Sequence, residues 1–417
     1  MEPSAPRRPA VGLPLRIALG AVSGVLAGLA AYVFLEGLDR VTRIRLDHGG
    51  LVWFLPAAGL GLGLAFHHFG GRAVHGSALL VDEIHTPTEW IPRRLAPLVL
   101  LGTWVTHLFG GSAGREGTAV QMSGGLTDRV SRVLRLDDDD RRTLLVAALA
   151  GGFGAVFGVP VAGVVFALEV QSLGRHRWGS ILPAAAAAFV GDAVVAALGY
   201  DHPRHEHLIV DLDAALLGKI AVAGFAFGLA GTAFVELTHG IRSLLARRVR
   251  WPPARPVLGG FAIVGLATVV GRDSLGLSLP LLDRAFDGEA LGFSVFALKI
   301  AFTAVTLGCA FPGGEVTPLF VIGATLGAAL GTPLGTPTSL LAVLGFVAVF
   351  AGAANTPLAG AVMGVELFGA RAAVPFVVVC GAAYLCSGHR GIYPSRRRHR
   401  AKRAARLLRL RAGPAPE

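Results

Sequence analysis

Apolar segments recur along the whole of this chain, and many of them are interrupted by glycine. Residues 13–35, 214–235 and 340–353 are apolar almost throughout. The chain contains 57 glycines and only 16% charged residues, whereas a soluble domain is about a quarter charged. Such a pattern requires lipid as the solvent. The chain is therefore predicted to be an all-α, polytopic membrane protein.

Several apolar segments are shorter than the about 20 residues that a simple spanning helix needs. Residues 51–66 and 297–309 are examples. Short segments broken by glycine indicate tilted or half-spanning helices, whose ends lie inside the membrane only where protein or a water-filled cavity covers them. This arrangement is typical of a transporter or channel rather than of a simple anchor.

The positive charge of the chain is concentrated near its ends. The net charge is +11, and the segment after residue 388 is rich in arginine. Basic flanks stay on the cytoplasmic side and contact anionic lipid. We therefore predict two cytoplasmic tails, and a nucleic-acid partner is the weaker interpretation that we do not adopt.

A polar stretch separates two apolar blocks. It contains three histidines, but their spacing fits no standard metal motif, and the three cysteines of the chain show no metal-ligand spacing either. We predict a solvated linker and no metal site. The predicted division is an N-terminal tail (residues 1–12), a first transmembrane repeat (13–200), the linker (201–213), a second transmembrane repeat (214–388) and a basic C-terminal tail (389–417).

The two transmembrane blocks contain related sequences. The pattern Pro-x-Ala-Gly, followed by Glu six residues after the Gly, occurs at residues 160–169 and again at residues 357–366. A weaker similarity aligns residues 114–118 with residues 313–317. Two repeated halves built from broken helices are typical of transporters, with the substrate site between the halves near the membrane midplane.

Residues 110–121 form the first candidate site. Their glycines allow the chain to turn within the membrane and then to begin a helix, whose free N–H groups favour an anion. Glu116 is an ionisable group beside an apolar stretch. A charge inside the membrane costs at least about 2.5–3.5 kcal/mol, so we predict a functional role for Glu116. The alternative is a structural ion pair with Arg115 at the membrane edge.

Residues 311–327 repeat this design. A Pro/Gly turn is followed by the carboxyl of Glu315, the hydroxyl of Thr317 and a glycine-rich apolar helix. Pro318 suits the first turn of a helix, where no N–H partner is required. Two such helix starts that face each other would form a dry, electropositive cradle for an anion.

These motifs resemble those of a known family. Residues 114–118 resemble the Gly-Arg/Lys-Glu-Gly-Pro motif of the CLC chloride channels and proton antiporters, and residues 313–318 resemble their Gly-Gly-x-Phe-x-Pro motif. The repeated Pro-x-Ala-Gly pattern also looks like that of the family. The resemblance covers nearly the whole transmembrane chain. It implies the CLC fold, with two inverted-topology repeats, in a multi-pass homodimer of the cell inner membrane with one pore in each subunit.

Departures from the family pattern point to one branch. Thr118 stands where most of the family has Pro, and residues 315–317 replace those around the usual Phe. Val170 stands where chloride/proton exchangers tend to carry a second glutamate. Together these departures resemble the fluoride-exporting branch. Ser77 is instead the chloride-type residue, so a chloride channel or chloride/proton exchanger remains the alternative.

The resemblance implies a mechanism. Glu116 would compete with the anion for its site, take a proton when displaced and carry that proton inward, so that fluoride is exported in exchange for protons. Glu315 would provide the inner proton step, because Val170 cannot bind a proton. The partners implied are fluoride or chloride, protons and lipid, with no cofactor. The predicted anion-binding residues are Ser77, Gly114, Arg115, Gly117, Glu315, Val316, Thr317 and Tyr393.

One enzyme pattern is also present. Residues 110–114 fit Gly-x-Ser-x-Gly, with His107 nearby. The serine elbow of a hydrolase requires a strand before it, whereas an apolar, helix-like sequence precedes this one. We therefore predict that the chain is not an enzyme.

Overall fold

The computed structural model describes residues 12–171, 178–203, 205–388 and 391–393. The predicted tails, residues 1–12 and 389–417, lie outside these ranges apart from residues 12 and 391–393. The described residues form sixteen α-helices and no strand beyond one isolated bridge. The α-helices are α1 Leu13–Asp47, α2 Leu55–Ala65, α3 Ser77–His85, α4 Leu95–Leu108, α5 Glu116–Val133, α6 Asp138–Phe157, α7 Pro160–Gln171, α8 Ile181–Ala197, α9 Ala214–Arg248, α10 Ala254–Val270, α11 Leu279–Phe286, α12 Phe293–Gly308, α13 Val316–Leu334, α14 Thr338–Ala354, α15 Pro357–Phe368 and α16 Ala373–Ser387, and the short 3-10 or π turns are Gly49–Phe54, Phe66–Gly70, Gly71–His75, Trp178–Ser180 and Ala370–Ala372.

Apolar helices of two lengths make up the fold. Six helical stretches within the described residues are long and apolar enough to cross a membrane, and six more helices are apolar but have only 10–17 residues. The prediction of an all-α membrane fold with partly spanning helices is confirmed. The six long stretches are Leu13–Asp47, Gly49–His85, Trp178–Ala197, Ala214–Arg248, Val316–Leu334 and Ala370–Ser387.

The helices α1–α8 and α9–α16 follow the same order, which confirms the predicted repeat. Both α1 and α9 have 35 residues. The loop before α5 and the loop before α13 each turn through one residue of positive φ, Gly110 and Ala310. This common loop pairs the start of α5 at Glu116 with the start of α13 at Val316. The sequence alignment, which matched Glu116 with Glu315, was therefore shifted by one residue, because side-chain identity and not the turn determined it.

The equivalent helices α7 and α15 run antiparallel, which confirms that the repeats are inverted. Glu169 near the end of α7 accepts hydrogen bonds from the free N–H groups that begin α15, and Glu366 near the end of α15 does the same for α7. Each carboxylate thus caps the positive end of the other helix. The donors are Leu358 N (3.2 Å) and Ala359 N (2.8 Å) to Glu169, and Val161 N (3.0 Å) and Ala162 N (2.8 Å) to Glu366.

The core around α13 and α14 depends on direct backbone contact. A Cβ atom placed on Gly323 would overlap the carbonyl oxygen of Gly345, and one placed on Gly345 would overlap that of Gly323. We expect Gly323→Ala to destabilise the fold by about 1–3 kcal/mol, because two buried helices would have to separate. The midpoint of thermal denaturation in detergent measures this. Gly265→Ala on α10, where no atom lies within 4 Å of the added Cβ, is the matched control, and equal midpoints would contradict the prediction.

Candidate anion site at two facing helix starts

The loops that precede α5 and α13 pair with each other in the interior. Gly114 N donates to Gly314 O at 2.8 Å, and Gly314 N donates to Gly114 O at 2.9 Å. These two bonds form the isolated antiparallel bridge of the fold. A Cβ atom on Gly314 would overlap the carboxyl group of Glu116, so glycine is required here for the close approach. The bridge therefore brings the starts of the two helices to one point.

The carboxylate of Glu116 lies at the start of α13. Its Oε1 accepts from Val316 N at 2.5 Å, and its Oε2 accepts from Thr317 N at 3.1 Å and from Thr317 Oγ1 at 3.0 Å. Arg115 N donates to the same Oε2 at 3.0 Å. Glu116 is only 2% exposed. The carboxylate oxygens occupy the place where a helix start binds a small anion, and we call these donors around Glu116 the central anion site.

A cavity of about 1150 Å³ reaches the central anion site. It brings together most of the residues that the sequence singled out, including side chains from both halves of the chain. Gly114, Arg115 and Thr317 do not line it. The predicted residues that line it are Ser77, Glu116, Gly117, Glu315, Val316 and Tyr393.

Ser77 is the first residue of α3 and follows Gly76, which has a φ of 55°. Gln121 Nε2 donates to Ser77 Oγ at 3.2 Å. This bond uses a lone pair of the hydroxyl oxygen and leaves the Ser77 O–H able to donate to an anion. Gln121 is not among the residues predicted from the sequence. Its spacing of four residues from Gly117 places both on one face of α5, and that signal could have identified it.

The side chain of Arg115 turns away from the cavity. Its guanidinium carbon lies 5.5 Å from the ring centroid of Phe157, and Arg115 forms no ion pair with Glu116 among the described residues. The predicted contact of Arg115 with an anion is therefore limited to its backbone N–H. The structural alternative, a Glu116–Arg115 ion pair, is wrong, because the carboxylate is held by the start of α13.

Glu315 precedes α13 directly and is half-buried at the cavity wall. Arg242 on α9 lines the same cavity, and its Nη2 donates to Leu307 O at 3.3 Å. Tyr393 lies with its ring centroid 6.3 Å from that of Phe166. These residues surround the cavity next to Glu116, but their roles in binding and proton transfer stay predictions.

The family follows from a comparison with known proteins. A family model described as voltage gated chloride channel matches residues 58–388. The chain belongs to this family, the CLC family. A relative described as a chloride/fluoride channel protein, from Pseudomonas syringae pv. tomato, is 43% identical over 391 residues, which cover 91% of this chain and 86% of the relative. The H(+)/Cl(-) exchange transporter ClcA of Yersinia pestis is 27% identical over 413 residues, which cover 90% and 85%.

Solved CLC structures share the whole fold. The crystal structure of a CLC-type fluoride/proton antiporter superposes with a TM-score of 0.89 at 35% identity, covering 92% of this chain and 98% of that one. The structure of a slow cyanobacterial Cl-/H+ antiporter superposes with a TM-score of 0.80 at 17% identity, covering 93% and 99%. The second likeness concerns the fold alone.

Ser112, the serine of this CLC chain that fits a hydrolase motif, makes contacts that are structural rather than catalytic. The helix α4, and not a strand, precedes Ser112. Ser112 Oγ contacts Thr303 Oγ1 at 2.8 Å and accepts from Lys299 Nζ at 3.0 Å. The two ring nitrogens of His107 have no hydrogen-bond partner among the described residues. The elbow and the Ser–His contact that a hydrolase requires are therefore absent from this part of the structure.

Thr317 offers a direct test of the central anion site. We expect Thr317→Val to weaken fluoride binding by about tenfold, because a hydrogen bond to a charged partner contributes about 1.5–3 kcal/mol. Isothermal titration of the purified protein with fluoride measures the affinity. Thr325→Val is the matched control, since the Thr325 hydroxyl donates to Val321 O within its own helix. An unchanged affinity in Thr317→Val would remove this hydroxyl from the site.

Proposed function

We propose that this CLC protein is a secondary active antiporter that exports fluoride in exchange for protons. The observation that carries the proposal is the Glu116 carboxylate at the start of α13, held by the N–H groups of Val316 and Thr317 and by the Thr317 hydroxyl. The Glu116 carboxyl group, which can bind a proton, therefore occupies the place of a small anion. The names of two similar proteins, a chloride/fluoride channel protein and a fluoride/proton antiporter, support the same substrates.

Competition for one set of donors couples the two ions. The donors at the start of α13 can serve either the Glu116 carboxylate or an incoming anion. An anion that displaces the carboxylate leaves it near a negative charge and without its hydrogen bonds, and both changes favour protonation. Anion binding and protonation of Glu116 therefore promote each other, and this reciprocal coupling is what an antiporter needs.

The donors of the central anion site suit fluoride. Fluoride is small and strongly hydrated, so its dehydration must be offset by strong donors at short range. The start of α13 supplies two N–H groups and one hydroxyl from adjacent residues. The second candidate function is a chloride channel or chloride/proton exchanger, and Ser77 favours it. In our proposal Ser77 donates to fluoride from the inner side of the cavity, with Tyr393.

Glu315 carries the inner proton step in this proposal. It lines the cavity beside Glu116, whereas Val170 is a buried apolar residue that cannot bind a proton. We expect Glu315→Gln to lower proton flux by about 10²-fold or more, in the range of a lost acid–base group. Fluoride flux should fall less, so the ratio of protons to fluoride should drop. A ratio equal to that of the unaltered protein would exclude Glu315 from the proton path.

The test of the function is fluoride-dependent proton uptake by the purified chain in sealed liposomes. An outward fluoride gradient should drive protons inward against their own gradient, and a chloride gradient of equal size should not. Fluoride movement without protons would indicate a channel, and stronger coupling to chloride would establish the second candidate. Thr325→Val, which keeps all the residues of the central anion site, should transport normally.

The setting that we propose for this activity is a homodimer in the cell inner membrane. Both tails, residues 1–12 and 389–417, would lie in the cytoplasm and contact anionic lipid, with residues 201–213 linking the two repeats. Apolar side chains exposed on α8 and α16 support a surface covered by lipid or by a second subunit, and they include Leu182, Phe189, Val374, Val377 and Leu385.

A further inference from the structure

Three basic side chains lie together behind the loop of residues 110–115. Lys299 on α12 and His107 on α4 are almost completely buried. Arg45 on α1 lies against Gly276, and it interacts electrostatically with both Lys299 and His107. Within the described part of the chain, no carboxylate forms an ion pair with any of the three. The cluster is thus basic throughout.

Burying such a cluster costs free energy unless a negatively charged group lies beside it. An arginine guanidinium keeps its positive charge in proteins, and a buried charge is ordinarily paired. Lys299 does not offset the charge of Arg45, because it is itself a base. An anion would neutralise the positive charge of the cluster, and no acidic side chain of the described residues pairs with it.

The cluster also contains nitrogen atoms that are available to a ligand. Both ring nitrogens of His107 and the Nε of Arg45 are buried and have no hydrogen-bond partner among the described residues, although buried polar atoms nearly always have one. Lys299 differs, since protein acceptors use all its hydrogens. Lys299 Nζ donates to Ser112 Oγ (3.0 Å), Ser274 O (3.3 Å), Gly276 O (2.8 Å) and Ser278 Oγ (2.9 Å).

We propose that Arg45, His107 and Lys299 form a second anion site, which takes one small halide such as fluoride. His107 and Arg45 donate N–H groups to the anion, and Lys299 contributes its charge from a position fixed by the protein. Fluoride is about as large as a water molecule, which needs only about 10–15 Å³ of accessible space.

The second anion site is separate from the central anion site. None of Arg45, His107 and Lys299 lines the cavity at Glu116. The two sites are nevertheless neighbours, because Ser112, which accepts from Lys299, lies in the same loop as Gly114. An anion at the second site would therefore be held one loop away from the anion at Glu116. The inference concerns binding and holds whether or not protons are exchanged for the anion.

Titration calorimetry of the purified full chain with sodium fluoride, at constant ionic strength, tests the second site. Lys299→Met removes a neighbouring positive charge and should weaken one binding component by more than about tenfold, as expected for an adjacent charge at an effective dielectric constant of about 20. Lys299→Arg keeps the charge and should retain that component. Thr317→Val should weaken only the other component, which belongs to the central anion site.

The outcomes separate this inference from the proposed function. Loss of all fluoride binding in Thr317→Val, or an unchanged isotherm in both Lys299→Met and His107→Phe, would overturn the second site. If Lys299→Met does not purify as a single species, His107→Phe makes the same test, since it leaves both cationic side chains in place. Failure of fluoride-driven proton uptake in liposomes would overturn antiport and leave the calorimetric result standing.

Discussion

Replacement of Glu116 by glutamine should abolish proton movement coupled to fluoride. The expected loss in proton flux is about 10²–10⁴-fold, the usual contribution of an acid–base group. An amide cannot carry the proton, and it has one oxygen where the carboxylate has two. It therefore cannot accept from Val316 N and from the two Thr317 donors together, as Glu116 does. Glutamine should therefore compete less strongly than a carboxylate with fluoride for these donors.

The measurement is proton uptake by liposomes under an outward fluoride gradient, with the fluoride flux recorded in parallel. Glu366→Gln is a demanding control, because Glu366 is another glutamate that caps a helix start within the fold. It does not line the cavity and should keep coupled transport. Coupled transport in Glu116→Gln, or its loss in Glu366→Gln alone, would contradict the role assigned to Glu116.

Loss of the Arg141 guanidinium should destabilise the fold more than the loss of any surface charge. Arg141 on α6 is 4% exposed. Its Nε donates to Asp128 on α5 at 2.6 Å, its Nη1 donates to Glu83 on α3 at 3.1 Å, and its guanidinium carbon lies 4.6 Å from the ring centroid of Trp90. The two carboxylates are each 1% exposed. We expect Arg141→Met to cost about 3–5 kcal/mol, because it leaves buried charges uncompensated.

The neighbouring arginine is the matched control for this prediction. Arg142 pairs with the carboxylate of Asp139 at 3.3 Å, and that carboxylate is 68% exposed. An exposed pair contributes about 0–1 kcal/mol, so Arg142→Met should change stability little. Chemical denaturation of both variants in the same detergent compares them. Similar midpoints for Arg141→Met and Arg142→Met would show that the buried network does not stabilise the fold.

The parts of the site that depend on local chemistry could be predicted from the sequence. A glycine turn, a carboxyl group and the free amides of a helix start occur within a few residues of one another, so residues 110–121 and 311–327 each indicated half of the central anion site. Membrane helices and the repeat were predictable for the same reason, because apolar composition and a recurring pattern are properties of the sequence itself.

The contacts between the halves could not be predicted in this way. The reciprocal caps of Glu169 and Glu366 join residues 189–205 positions apart, and their existence depends on how α7 and α15 pack. The direction of the Arg115 side chain and the bond from Gln121 to Ser77 also depend on packing. The one-residue shift between the repeats has the same origin, since backbone turns and not side-chain similarity determine which residues are equivalent.

The bridge between Gly114 and Gly314 has a consequence for how ions pass. Two short backbone bonds fasten the halves together at the very point where the ions exchange. A transporter that rotates one half against the other would have to break these two hydrogen bonds in every cycle. In this protein the Glu116 side chain alone can move, while the backbone around it keeps its position.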